Sequence, residues 1–231
     1  MNNVAKTALI VGTNGAIGSS LEAKYKAEGW TVKTISSGPN QGLRLDLTNE
    51  SNVDHIETYL KDQGCPDLII HCSGLLHDSS NMPERTLEEL NVDWLMKSIE
   101  VNLVSHVNLA KAINHVMTKD KALTWVSLSA MVGSISDNGL GGWYSYRTSK
   151  AALNMFIKTL SIEWKRKNKG NRTFLIHPGT TKSKMSAPFS VRKDKLYAPE
   201  LSAQRIYDVI ENTGTEANGQ FYNWNSEHIP W

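Results

Sequence analysis

Tyr146 and Lys150 stand four positions apart in the stretch Tyr146-Arg147-Thr148-Ser149-Lys150. On a helix that spacing puts both side chains on one face, so an ammonium can lie beside a phenol. A free tyrosine ionises near pH ~10, too high for proton transfer in neutral water. A neighbouring cation favours the phenolate and draws the group toward the working range, which is what a general acid or base needs. The chemistry on offer is proton transfer. By itself the pair is weak, because with seven tyrosines in 231 residues a Y-x-x-x-K match arises by chance in about two of five such chains.

A working pair needs a rigid frame, and the hydropathy pattern predicts one. Short apolar runs alternate with longer helix-period segments, the signature of a parallel sheet with crossover helices. Strands are expected over 7–11, 31–35, 43–45, 67–72, 123–128, 173–177 and 220–223. A helix is expected over 17–28, closed by Gly29. Another is capped by Thr48, with Val53, Ile56 and Leu60 on one face. Two long helices are expected over 95–117 and 144–167, and the 36–42 segment is dense in turn residues. The expected fold is α/β, a Rossmann-like doubly wound parallel sheet of about seven strands with helices on both faces. No repeat or linker interrupts it, so 1–231 is expected to form a single domain.

The first expected strand runs into Gly12-Thr13-Asn14-Gly15-Ala16-Ile17-Gly18. A strand-to-helix turn needs backbone angles that a Cβ hinders, and a pyrophosphate must approach the backbone and helix N-terminus closely. A strand, glycine-rich turn, helix and second strand form the setting of a dinucleotide site. An acidic residue ending the second strand would bind a ribose 2′-hydroxyl and repel a 2′-phosphate. Ser36 and Ser37 stand there instead, with no arginine beside them in sequence. Both can bond a phosphate, which favours NADP(H) over NAD(H).

Taken in order, these segments resemble the short-chain dehydrogenase/reductase family. Gly12 and Gly18 match the outer glycines of T-G-x-x-x-G-x-G, with Asn14 and Ile17 inside the loop and Ala16 at the middle glycine. Asp46-Leu47-Thr48 resembles the D-V-T/D element, whose carboxylate accepts from the adenine amino group; the bland alternative is a helix-flanking carboxylate. His71-Cys72-Ser73-Gly74 stands where the family has N-N-A-G and keeps only the glycine. Pro178, Gly179, Thr181 and Ser183 fall in a segment similar to P-G-x-V-x-T, which cradles the nicotinamide amide. The stretch SISDNGLGGWYSYRTSKAALN resembles in particular the sniffer-type carbonyl reductase and C-factor-like branch. The resemblance spans nearly the whole chain.

It implies an NAD(P)-dependent oxidoreductase that transfers a hydride between a nicotinamide cofactor and a carbonyl or alcohol. Tyr146 would be the acid/base, and Lys150 would hold the nicotinamide ribose. Asn102, in Ile99-Glu100-Val101-Asn102-Leu103, resembles the V-N element and would hold a water that extends the relay. Its alternative is a polar helix residue bonded to backbone. The family's substrate-binding serine, counted back from Gly133, falls on Ala130. Ser129 is therefore taken as the catalytic serine ahead of Ser134, although in a strand it faces the opposite way from Ala130.

Charge and composition narrow the partners. A net charge of +2 argues against nucleic acid. The basic run at 165–172 reads as a solvated helix end. No apolar run has the length of a secretory signal or a membrane span, and Cys65 and Cys72 make no disulfide framework, so a cytoplasmic setting is expected. The seven histidines show no metal-ligand spacing, and no metal is expected. The partner is a small-molecule carbonyl or alcohol, enclosed by the irregular stretches after Gly74 and Gly179, with Trp143, Met185 and Phe189 as candidate apolar walls. The two long helices resemble those that pair relatives into homodimers or homotetramers. Three rivals remain. A dinucleotide-binding C-factor-like signalling or sensor protein gains from Ala130 but has no need of the Tyr–Lys–Asn set. An extended-branch nucleotide-sugar epimerase needs a larger C-terminal part, and a methyltransferase does not need the Tyr–Lys helix.

Overall fold

The computed structural model describes residues 5–39 and 42–231; positions 40 and 41 of the expected 36–42 turn lie outside the described residues. Strands β1 (Thr7–Val11), β2 (Thr31–Ser36) and β3 (Leu43–Arg44) are joined through helices α1 (Ala16–Ala27) and, after β3, α2 (Val53–Gln63) to β4 (Leu68–His71). Helices α3 (Val92–Ile99) and α4 (Ser105–Val116) lead to β5 (Thr124–Leu128), and α5 (Tyr144–Lys167) to β6 (Arg172–His177). A small two-stranded pair, β7 (Thr180–Thr181) with β8 (Leu196–Tyr197), precedes α6 (Pro199–Asn212) and β9 (Phe221–Asn223). The main sheet has seven strands in the order β3-β2-β1-β4-β5-β6-β9, every pair parallel.

Strand alternation explains the near-continuous apolar runs. Ala8 and Ile10 point into a core with Leu21 and Tyr25 of α1 and Ile206 and Val209 of α6. Leu9 and Val11 point the other way, against Ile56 of α2, Leu109 and Ile113 of α4, and Leu153 and Ile157 of α5. A strand covered on both faces has no solvent side and needs no polar residue. Each fully buried leucine or isoleucine contributes about 1.5–3 kcal/mol. Truncating Ile10, which is 0% exposed, would cost about 2–5 kcal/mol.

After β3 the chain returns to lay β4 on the far side of β1. Where strand order reverses, the loops diverge and leave a crevice at the carboxyl ends of the strands. The turn after β1, the ends of β2 and β3, and the loops after β4, β5 and β6 carry all the candidate residues outside helices, so the topology gathers them on one edge.

Several expectations need correction. Thr48 does not cap a helix: its backbone N–H and hydroxyl donate to Asp46 Oδ1, and Asn49 accepts from Ser51 N to start a short 3-10 turn before α2. The expected 95–117 helix begins at Val92, capped by Asn91, and passes through a π-helical turn at Glu100–Val104. There the Ser105 hydroxyl donates to Val101 O at 2.7 Å. Helix α6 was not anticipated. Its signals are Pro199 at the first turn and buried Ala203, Ile206, Val209 and Ile210 at helical spacing.

Candidate active site

At the adenosine end the backbone does most of the shaping. Gly12 has φ +84°, and a Cβ there would lie 2.8 Å from Ser73 Oγ and 2.9 Å from Ser73 N. A Cβ on Gly18 would sit 2.4 Å from Gly12 O, so only glycine lets α1 start this close to the turn. The α1 N-cap, Gly15, offers no side chain to its amides. Those uncapped amides and the dipole behind them suit an anion. Beside the turn lies a cavity of about 200 Å³, lined among others by Val11, Ser36, Ser37, Asp46, Leu47 and Ser73. Asn14 is turned outward, its Nδ2 donating to Pro39 O at 2.7 Å. Ala16 and Ile17 form the first turn of α1. Glycines whose Cβ positions are filled, an uncapped helix start and an adjoining cavity with a carboxylate fit a dinucleotide.

One residue here escaped the sequence argument. No arginine neighbours Ser36 in sequence, but β2–β3 pairing sets Arg44 opposite Ser36, and its Nε donates to Ser37 O at 3.3 Å. Strand register puts a guanidinium beside both serines. The available signal was the short apolar-basic run after the turn, readable only if that run pairs in parallel with the second strand.

At the chemical end, Tyr146 and Lys150 share one face of α5, with Lys150 Nζ 5.9 Å from the phenol ring centroid. Lys150 is buried and its ammonium donates to Leu128 O at 3.0 Å. Burial lowers it to about 8. The expected downward pull on the phenol is not what the chain alone produces: burial pushes Tyr146 upward. Desolvation disfavours the phenolate, and the ammonium is directed at a carbonyl rather than at the hydroxyl.

Asn102, 0% exposed, sits in the π-helical turn. Its Oδ1 accepts from Leu75 N at 2.7 Å, while Nδ2 donates to Leu75 O at 2.8 Å and Ser149 Oγ at 2.9 Å. It therefore ties the loop after β4 to α5. A Cβ on Gly74 would lie 3.5 Å from Asn102 Oδ1 and 3.6 Å from Lys150 Nζ. Gly74 thus lies beside both the amide and the ammonium, with room for an ordinary contact.

Neither serine hydroxyl bonds Tyr146 among the described residues. Ser129 Oγ donates to Asn154 Oδ1 at 2.6 Å, one helical turn beyond Lys150. Ser134 Oγ donates to Pro230 O at 2.6 Å. Ser129 N still pairs with Ile176 O, so the extended backbone continues past β5. Ala130 is extended as well (φ −141°, ψ 148°) and faces away from its neighbour.

Behind the site, His71 of β4 and His106 of α4 stack with ring centroids 3.5 Å apart, both 0% exposed. Burial holds His71 down to about 3, with the Lys150 charge adding to it, and keeps His106 well below its ordinary value. Two stacked imidazoles beside a buried ammonium stay neutral. Burial likewise raises the Cys72 thiol to about 12, so it is no thiolate nucleophile.

The loop after β6 supplies the opposite wall. Gly179 has φ +74°, and a Cβ there would lie 2.9 Å from the Tyr197 ring. Pro178 precedes it, linking β6 to β7. Thr181 is turned away, its hydroxyl 2.7 Å from Ser202 Oγ of α6. Ser183 and Ser186 bond each other, with Ser183 N donating to Ser186 Oγ at 3.0 Å. Met185 reaches back over the site, its Cε 3.9 Å from where a Gly74 Cβ would be.

A doubly wound sheet with a glycine cradle at its switch point and a Tyr–Lys helix beside it defines a dinucleotide-dependent enzyme. Residues 6–194 match the short chain dehydrogenase family, and the chain belongs to it. Over 235 residues it is 24% identical to 1-hydroxy-2-glutathionyl-2-methyl-3-butene dehydrogenase of Rhodococcus sp. (strain AD45), covering 97% of this chain and 99% of that protein. NADPH-bound carbonyl reductase from chicken fatty liver superposes with a TM-score of 0.83 at 20% identity, covering 98% and 99% of the two chains. Carbonyl reductase Sniffer of D. melanogaster superposes at 0.82 and 23%, covering 99% and 100%. Among the described residues no helix is long and apolar enough to cross a membrane.

Proposed function

We propose that this single-domain chain is an NADP(H)-dependent carbonyl reductase acting on a small-molecule ketone or aldehyde. The observation that carries the reading is the cluster of half-buried Tyr146 with buried Lys150 and Asn102 at the switch-point crevice. The dinucleotide, when bound, supplies the hydride. Gly12, Ala16, Ile17 and Gly18 would take its pyrophosphate, Asp46 and Leu47 its adenine, and Ser73 and Gly74 the adjoining ribose side. Pro178, Gly179, Thr181 and Ser183 form the strap on the nicotinamide side, where Thr181 serves through its backbone because its hydroxyl is held by Ser202.

Burial keeps the Tyr146 phenol protonated but by itself makes it a weaker acid, so its delivery of a proton to a carbonyl oxygen depends on the Lys150 ammonium on the same face of α5. With the dinucleotide bound, Lys150 would orient the nicotinamide ribose, and its ammonium, reprotonated from solvent, would replenish that proton. Asn102 locks the loop after β4 onto α5. Ser129 acts through Asn154 rather than on the substrate oxygen.

Arg44 beside Ser36 and Ser37 supports NADP(H), since a guanidinium binds a phosphate with charge-assisted hydrogen bonds. The exposed apolar side chains Met155 and Ile162 of α5 and Val92 and Met96 of α3 support pairing of these helices with a second copy. The test is parallel steady-state assay of carbonyl reduction with NADPH and NADH. NADPH should be preferred, and Arg44→Ala should raise its KM about tenfold while leaving NADH unchanged. Equal use of both by the parent protein would remove the cofactor assignment. No reduction with either would remove the function.

A further inference from the structure

Gly141, Gly142 and Trp143 are three successive residues in left-handed backbone, with φ of 64°, 64° and 54°. Glycine adopts that conformation freely, whereas a bulky aromatic residue there is uncommon and strained. Such strain persists only where the surroundings impose it. Here they do. Trp143 N donates to Glu84 O at 2.5 Å, and Glu84, only 3% exposed, accepts through its carboxylate from Ser145 N at 3.2 Å and from the Ser145 hydroxyl. On the other side Arg147 Nε donates to Gly142 O at 3.0 Å. Glu84 thus anchors the start of α5 twice, through its main-chain carbonyl on Trp143 and through its buried carboxylate on Ser145, the residue before the catalytic phenol.

What the strained conformation achieves is the placement of one ring. The Trp143 indole stands edge-on to the Tyr146 ring at 6.2 Å and tilted against Phe189 at 5.3 Å. Phe189 meets His77 edge-on at 5.7 Å, and His77 Nε2 is 3.0 Å from Met185 O. The rings come from three separate segments, and all are half-buried rather than packed into a core. Together they make a continuous aromatic wall ending at the proton donor.

We propose that Trp143, held in place by Glu84, determines specificity by seating a flat aromatic substituent of the carbonyl substrate against this wall. The substrate assignment rests on the carbonyl-reductase reading. A planar ring is the occupant that fits, because offset or edge-on aromatic contacts add to simple apolar burial. A small aliphatic aldehyde gains nothing from the wall.

The test compares the parent protein with Trp143→Asn, which removes the ring but tolerates left-handed backbone, and with Trp143→Phe, which keeps a ring. Binding of 1-acetonaphthone is measured calorimetrically in the presence of NADP⁺, where no turnover occurs, and kcat/KM is measured with NADPH for 1-acetonaphthone and propanal. The expected result for Trp143→Asn is about tenfold weaker binding and about tenfold lower kcat/KM for the naphthyl ketone, with propanal changed by less than about twofold. Trp143→Phe should recover most of the loss. Unchanged naphthyl binding, or equal losses on both substrates, would overturn the assignment. If the parent protein reduces neither compound but Trp143→Asn still loses naphthyl binding, the wall stands and the reductase reading falls.

Discussion

The two ends of the crevice are built on different principles. At the adenosine end the determining features are absent atoms: Gly12 and Gly18 have no Cβ, and Gly15 gives α1 no side-chain cap. At the catalytic end they are present and buried: an ammonium, an amide and two stacked imidazoles, all at most 3% exposed. A site shaped by backbone binds through geometry and is most sensitive to added volume, with Arg44 supplying the charge that would choose between dinucleotides. A site shaped by buried polar groups depends on every partner, because an unpaired group in a low-dielectric setting is costly. The first end should therefore respond to added volume and the second to altered protonation.

The largest effect expected from that contrast is at the phenol. Tyr146→Phe should lower kcat by about 10³-fold, within the usual range for a lost general acid, while NADPH affinity by fluorescence titration stays within about twofold. Strongly weakened cofactor binding would place Tyr146 in the binding machinery and blur the division. Gly18→Val is the converse experiment. Its Cβ meets Gly12 O at 2.4 Å, so dinucleotide affinity should fall about a hundredfold, with a lower Tm, because overpacked positions cost about 1–3 kcal/mol.

Protonation provides the next tests. Lys150 is held down to about 8, so its ammonium is lost as pH rises through that value. The kcat/KM for reduction should be flat below it and fall above it by up to about tenfold per pH unit. Lys150→Arg, whose side chain does not deprotonate, should abolish the alkaline fall at a lower absolute rate. His71 and His177 are held by burial to about 3 and about 4. Between those values and the unfolded value of about 6.5 the unfolded chain binds more protons. Their contribution is complete above about pH 6.5 and is lost as pH falls, by about 1.4 kcal/mol per pH unit per group. Tm measured at pH 7 and pH 5 should show the drop. The double variant His71→Asn/His106→Leu should shrink it, leaving the part that His177 contributes.

The smallest expected effect is at Ser129. Its hydroxyl donates to Asn154, so Ser129→Ala should reduce kcat only about threefold to tenfold, roughly 1 kcal/mol for one lost hydrogen bond. A loss comparable to Tyr146→Phe would mean that the hydroxyl turns to the substrate oxygen during reaction.

Much of the frame was legible without coordinates. Apolar alternation located every strand of the main sheet to within a residue or two, and α5 spans 144–167 as expected. Burial on both faces makes such runs unmistakable. The sequence reading omits helix α6 although its period is regular, and the π-helical turn at Asn102 has no hydropathy signature because one extra residue in a turn leaves the apolar pattern nearly unchanged.

The chain's own order of residues determined the sheet, the glycine turn and the shared face of Tyr146 and Lys150, since backbone sterics and side-chain period are local properties. Only the folded arrangement decided that Arg44 lies beside Ser36, that Ser129 turns to Asn154, that Glu84 holds Trp143, and that burial moves the phenol up and the ammonium down. Those outcomes depend on which distant groups come close and how much water they exclude, and neither quantity exists until the segments have packed.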